Sequence, residues 1–298
     1  MRVILVHNPE AGDGDHDRPW LVRLLEKAGH EVRYVSSADP SWERAVKAPA
    51  DLIAVAGGDG TVGKVARRLG AADPPIAVLA AGTANNMATS LGLADISAEA
   101  LVSGWAQARR QPFDIGIVRG QQWTSTFVES VGVGLLADAF ATIDGDEGLS
   151  TQLERAQDPV AAAIDVYRDL LRDLRPVAVG LQVDGRALSG EYLLVEILNF
   201  GIAGPNLRLA PDARFADGLL DVVLVDDSHR DDLREHLPLY RTDPSSAPRL
   251  PTHRGRSITL HSGGRGMHLD DKVRSEPTDT MGPSVHVSLA RDGVTFLI

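Results

Sequence analysis

The segment that most constrains this chain runs Asp51-Leu-Ile-Ala-Val-Ala-Gly57-Gly58-Asp59-Gly60-Thr61-Val-Gly63-Lys64. An apolar run leads into a glycine turn and then a helical pattern, which reads as a buried strand, a tight turn and a helix. Glycines there permit positive φ and close backbone approach, and the start of the helix offers unpaired N–H groups to an anion. A phosphate is the guest such a turn suits.

Several readings of that turn compete. Gly58, Gly60 and Gly63 satisfy G-x-G-x-x-G, but a dinucleotide fingerprint also wants an acid about 20 positions further on. That region is Leu79-Ala80-Ala81-Gly82, without one. Gly58 to Lys64 also resembles G-x-x-x-x-G-K, yet Val65 follows where a P-loop places a hydroxyl for magnesium. Asp59 would repel a bare triphosphate; with Mg²⁺ between them, the carboxylate and the phosphates attract the same hard cation. Asp59 therefore points to a metal nucleotide, and the structural alternative is a carboxylate that only caps a helix.

Two further turns have the same form. Ile76 to Ala80 leads into Gly82-Thr83-Ala84-Asn85-Asn86, where Thr83 and Asn85 either reach a phosphate or ribose or act as caps. The first apolar run ends in His7-Asn8-Pro9-Glu10-Ala11-Gly12. Short β-branched runs alternate with amphipathic stretches through the first third of the chain, the pattern of a parallel sheet flanked by helices. Its ligand site is expected at the carboxyl ends of the strands, which brings Asn8 to the same rim as the two glycine turns.

From about Phe113 the rhythm changes to short alternating segments, such as Val177 to Val183, Leu220 to Val225 and Ser257 to His261, the pattern of an antiparallel β-rich domain. Thr151 to Leu174 interrupts it with helical spacing. Asp144 to Gly148 and Asp226 to Pro251 read as exposed connections, the second with a short polar helix.

A chain of 298 residues accommodates two such cores. Thirty Lys and Arg against 41 Asp and Glu leave a formal charge of −11, which argues against nucleic acid as a partner and against tight attachment to anionic membranes. Arg249, Arg254, Arg256 and Arg265 form a candidate patch for transient membrane contact. The absence of cysteine excludes disulfides and thiol nucleophiles and agrees with a cytoplasmic location. No apolar run is long enough to span a bilayer.

Asn8-Pro9 with Gly12, Gly57 to Thr61, Gly82 to Asn85, Phe127 with Gly132 and Gly134, Leu209 to Asp221, and Leu269-Asp270 run nearly the whole chain. Together they resemble the diacylglycerol kinase catalytic family, which includes bacterial lipid kinases and the sphingosine and ceramide kinases. The Gly-Asp-Gly-Thr block is shared with NAD kinases and 6-phosphofructokinases; the later pieces are more specific.

The resemblance implies an NAD kinase/diacylglycerol kinase-like fold. An α/β nucleotide domain with a parallel sheet is expected over 1–112, and a β-sandwich-like acceptor domain over 113–298 whose extreme C-terminus returns to the first; catalysis lies in the cleft between them. ATP falls to Asn8, Ser36 or Ser37, Gly57, Gly58, Asp59, Gly60, Thr61, Gly82, Thr83 and Asn85. Asp59 binds the catalytic Mg²⁺, directly or through water, and Asp217 with Leu219 forms a structural Mg²⁺ site partly through backbone atoms. Glu129 stands where the family often has Asn. The implied reaction is ATP- and Mg²⁺-dependent phosphorylation of a lipid hydroxyl, on diacylglycerol or a sphingoid base, by a soluble kinase that visits membranes; a homodimer is among the assemblies open to it.

Two departures bear on that reading. Asn86 replaces an acid that usually follows the Gly-Thr block, and Asp270-Asp271-Lys272 replaces Asp-Gly-Glu, whose Glu is commonly the base. A protonated lysine takes no proton near neutral pH. Asp270 or Asp271 then serves as base, or Lys272 neutralises transferred phosphate charge. The rival readings are a kinase of a soluble acceptor such as NAD, and a nucleotide sensor without turnover. His268 is assigned no role.

Overall fold

In this computed structural model, which describes residues 1–12, 16–274 and 284–298, the chain forms two compact units, 1–115 with 291–298, and 116–290. The first unit alternates strands and helices: β1 (Arg2–His7), α1 (Arg18–Lys27), β2 (Glu31–Ser36), α2 (Trp42–Ala45), β3 (Leu52–Gly57), α3 (Asp59–Arg68), β4 (Ile76–Ala80), α4 (Asn86–Ser90), α5 (Ala98–Gly104) and β5 (Arg110–Phe113). The four strands β2-β1-β3-β4 are parallel neighbours. The C-terminal segment Val294–Leu297 continues the sheet, parallel to β4 and antiparallel to β5.

Local chemistry sets the helix starts. Asp17 caps α1 by accepting from Trp20 N at 2.8 Å, with Pro19 in the first turn, and Ser97 caps α5 through Ala100 N. Leu21 and Leu25 of α1, with Ala98 and Val102 of α5, bury one face of the sheet against Val3, Leu5, Ala54 and Leu79.

The second unit comprises β6 (Gly116–Arg119), β7 (Thr124–Phe127), β8 (Ser130–Gly134), α6 (Leu135–Gly145), α7 (Glu147–Glu154), α8 (Pro159–Leu170), β9 (Val177–Val183), β10 (Arg186–Ala187), β11 (Gly190–Tyr192), β12 (Leu194–Leu198), β13 (Leu220–Val225), α9 (Arg230–His236), α10 (Leu239–Thr242), β14 (Thr252–Gly255), β15 (Ser257–His261), β16 (Met267–Leu269), β17 (Lys272–Arg274) and β18 (Val285–Leu289). One sheet runs β10-β9-β15-β18-β6-β7 with β11 beside β9, and a second runs β14-β13-β12-β8-β16-β17. Their facing side chains, among them Val179, Leu181, Val195, Ile197, Val222, Leu260 and Val287, make one apolar core, so the two sheets form a sandwich.

The second sheet is buried on both faces. Leu220, Val222 and Leu224 enter the sandwich core, while Val223 and Val225 pack with Leu135, Ile164, Tyr167, Leu233, Leu237 and Tyr240 from the helices. That helical layer corrects the sequence reading at two places. Residues 135–145 form a helix where no helix is expected, and the 226–251 stretch contributes Leu233, Leu237 and Tyr240 to a core rather than serving only as an exposed connection.

Candidate active site

The parallel register aligns the carboxyl ends of four strands: His7 pairs with Ser36 and Ala56, and Gly57 with Ala80. The turns that leave this edge are tied together by backbone bonds, Asn8 N to Ala56 O at 2.9 Å, Ser37 N to His7 O at 2.8 Å and Ala81 N to Gly57 O at 3.1 Å. Asn8, Ser36, Gly57, Gly58, Asp59, Gly82, Thr83 and Asn85 thus lie on one rim.

The two glycine turns touch. A Cβ on Gly82 would lie 2.3 Å from Gly58 Cα, and one on Gly58 2.9 Å from Gly82 Cα, separations that no side chain fits. The third turn closes on them through Gly12, at φ +74°, whose Cβ would meet Ala81 O at 2.9 Å.

Asp59 stands in the first turn of α3, half-buried, with its carboxylate turned to the next helix. Oδ2 accepts from Asn86 N and Oδ1 from Met87 N, both at 2.9 Å. The residue therefore caps α4, not its own helix. Burial pushes its pKa above the ordinary carboxylate range, against the pull of these N–H groups. The backbone N–H groups of Asn85 and of Asp59 itself also favour its charged form, and a carboxylate so held would suit a water-mediated Mg²⁺ brought by a triphosphate. Among the described residues no three His, Cys, Asp or Glu side chains gather to hold a metal by themselves.

The other rim residues divide by what their side chains touch. Asn85, at φ +53°, accepts from Gly82 N at 2.9 Å and donates to Gly82 O at 2.6 Å, so its amide closes its own turn. Asn8 Oδ1 accepts from Glu10 N, and Ser36 Oγ from Ala38 N. Thr61 is buried in α3 against Gly57. Thr83 and Gly60 are exposed, and the N-terminus of α3 has no side-chain cap. Asn85, Asn8 and Thr61 are thus engaged in holding the turns in shape, while the backbone N–H groups at the start of α3 and the Thr83 side chain are the groups the rim leaves open to an anion.

In the second unit, Asp270 at φ +51° begins the β16–β17 turn. Its carboxylate accepts from Val128 N at 2.9 Å, Glu129 N at 2.8 Å and Ser130 N at 3.4 Å, pinning the segment ahead of β8. Asp271 and Lys272 are on the surface, with side chains 55% and 79% exposed and 3.7 Å apart. Beneath the turn, His268 Nδ1 donates to Asp270 O at 2.8 Å and Nε2 lies 3.0 Å from Glu196 Oε2, with both side chains fully buried. Burial alone would lower the His268 pKa; the Glu196 carboxylate turns the shift upward. Sequence reasoning passed over Glu196, although an acid inside Leu193-Leu194-Val195-Glu196-Ile197-Leu198 was itself a signal.

Three of the four arginines offered as a membrane patch already have carboxylate partners: Arg249 with Asp212, Arg254 with Asp217 and Asp221, and Arg265 with Asp138. Their charge is largely neutralised within the unit. At the 217–219 loop, Asp217 Oδ1 accepts from Leu219 N at 3.1 Å, and Oδ2 meets the Arg254 guanidinium.

A parallel sheet with glycine turns on its carboxyl rim, together with an antiparallel sandwich, is the two-unit fold of the diacylglycerol kinase- and NAD kinase-like proteins. Residues 2–118 match the diacylglycerol kinase catalytic domain, and 150–280 the YegS C-terminal NAD kinase beta sandwich-like domain. A diacylglycerol kinase of Bacillus subtilis is 31% identical over 238 residues, 75% of this chain and 73% of that protein. A putative diacylglycerol kinase structure from Bacillus anthracis superposes with a TM-score of 0.75 at 20% identity, over 99% of this chain and 94% of that one. An NAD kinase from Archaeoglobus fulgidus in complex with ATP superposes with a TM-score of 0.57 at 13% identity, over 100% and 94%. The chain belongs to the diacylglycerol kinase family of phosphotransferases.

Proposed function

We propose that this protein is an ATP- and Mg²⁺-dependent lipid kinase that moves the terminal phosphoryl group of ATP to a lipid hydroxyl, with diacylglycerol or a sphingoid base as the acceptor class. The observation that carries the reading is Asp59, a carboxylate held between two mutually packed glycine turns where phosphates would bind. The backbone at Gly57 to Gly60 and Gly82, with Thr83, orients the triphosphate. Mg²⁺, when bound with the nucleotide, offsets charge on the phosphate oxygens, and Asp59 anchors that complex.

Asp271 is the acid available to take the hydroxyl proton, because Asp270 is committed to three backbone N–H groups. Lys272 beside it offsets charge on the transferred phosphate. Asp271→Asn is expected to lower kcat by about 100-fold with an unchanged denaturation midpoint. Asp270→Ala is expected instead to lower stability by about 2–3 kcal/mol, because it orphans backbone donors beside β8. Chemical denaturation and initial rates on both variants separate the roles, and full activity in Asp271→Asn would remove that residue as the base.

Lys272→Glu, which replaces the cation beside the transferred phosphate with a second acid next to Asp271, is expected to lower kcat several-fold near neutral pH, as seen in initial rates. The proposal as a whole is tested by following labelled terminal phosphate from ATP into products. Label in a lipid phosphate supports it, whereas label only in NADP would make the protein a soluble-acceptor kinase.

A further inference from the structure

The Asp217–Leu219 loop resembles a structural magnesium site, yet what fills its carboxylate is a side chain of the same unit. Asp221 on β13 and Arg254 on β14 are direct cross-strand partners. Arg254 Nε donates to Asp221 Oδ1 at 3.1 Å, and its Nη2 donates to Asp217 Oδ2, so one planar guanidinium bridges both acids. The second oxygen of Asp217 accepts the Leu219 N–H, so Leu219 turns a donor toward this carboxylate. A magnesium ion at these two carboxylates would meet the like charge of the guanidinium already standing against both, so the residues as arranged do not fit the ion.

Asp221 explains why a cation is needed here. It shares the helix-facing side of β13 with Val223 and Val225 and is 2% exposed, with Oδ2 lacking a hydrogen-bond partner in the structure. A buried carboxylate without a counter-charge is strongly unfavourable. Among the described residues, the cation that pairs with it is Arg254.

We propose that Arg254 is the resident cation of this loop, standing where magnesium would otherwise stand, so that the loop folds and holds without a metal. It follows that a magnesium requirement of the proposed kinase would come from the metal nucleotide alone; the loop inference itself does not depend on that activity.

The test is thermal unfolding with and without millimolar MgCl₂ in the absence of nucleotide, on the parent, Asp217→Asn, Arg254→Gln and the Arg254→Gln/Asp217→Asn double variant. The magnesium-induced change in Tm is expected to be the same in the parent and Asp217→Asn. Arg254→Gln is expected to melt roughly 10 °C lower, and magnesium is expected to restore part of that loss only while Asp217 is present. A magnesium shift in the parent that Asp217→Asn abolishes would overturn the proposal, as would an Arg254→Gln protein that magnesium leaves unchanged. Should Arg254→Gln fail to fold under either condition, the comparison of parent with Asp217→Asn decides alone.

Discussion

Gly82→Ala is expected to abolish nucleotide binding and to lower stability by about 3 kcal/mol. The new methyl would sit 2.3 Å from Gly58 Cα, and the clash is with backbone, which no rotamer change relieves. Separating the turns at 58 and 82 also disturbs the bond between Asn85 and Gly82 and the cap that Asp59 places on α4. A minor structural cost with intact binding, measured by titration with Mg²⁺-ATP and by chemical denaturation, would show that the turns do not need their contact. Gly92→Ala is a poor control because Gly92 has φ +73°, whereas Gly104 has open space and an ordinary backbone. Gly104→Ala should leave binding unaltered.

Asp59→Ala is expected to reduce turnover by at least about 1,000-fold while lowering stability by only about 1 kcal/mol. The two effects have separate origins. Stability is lost because Asn86 N and Met87 N forfeit their acceptor at the start of α4; turnover is lost because the proposed metal nucleotide forfeits the carboxylate held between the two glycine turns. Asp59→Asn keeps an acceptor for one of those N–H groups and removes the charge. It should therefore recover part of the stability and none of the activity.

Much of this site was legible in the sequence because glycine turns between an apolar run and a helical pattern carry their geometry locally. Gly57 to Gly60 and Gly82 to Asn85 announce tight turns at strand ends, and the parallel register then places them on one edge. What the turns do to each other was not legible, since the contact of Gly58 with Gly82 exists only after two strands have paired. For the same reason the sequence left open whether Asp59 caps a helix, and its partners prove to lie 27 and 28 residues away.

The second unit was legible as alternating strands and less so as layers. The helix over residues 135–145 follows Gly132 and Gly134, residues used in the sequence only as part of the family resemblance, and the strand-to-helix switch occurs at Gly134 with φ +87°. Leu233, Leu237 and Tyr240 lie at helical spacing in a segment otherwise rich in Asp and Arg, so polarity masked a buried face. The charge that the arginine patch presents was not legible in the sequence, because three of its four arginines meet acids through space. Arg249 meets Asp212 and Arg254 meets Asp217, each across 37 residues.

The central claim is tested most directly by ATP consumption of the purified protein with Mg²⁺, against diacylglycerol, monoacylglycerol, sphingosine, ceramide and phosphatidylglycerol in mixed micelles, with Asp59→Ala as the blank. A lipid kinase built on this rim predicts stimulation by one lipid hydroxyl and none in the variant. Tight Mg²⁺-ATP binding with no lipid-stimulated turnover, or stimulation that survives in Asp59→Ala, would contradict it.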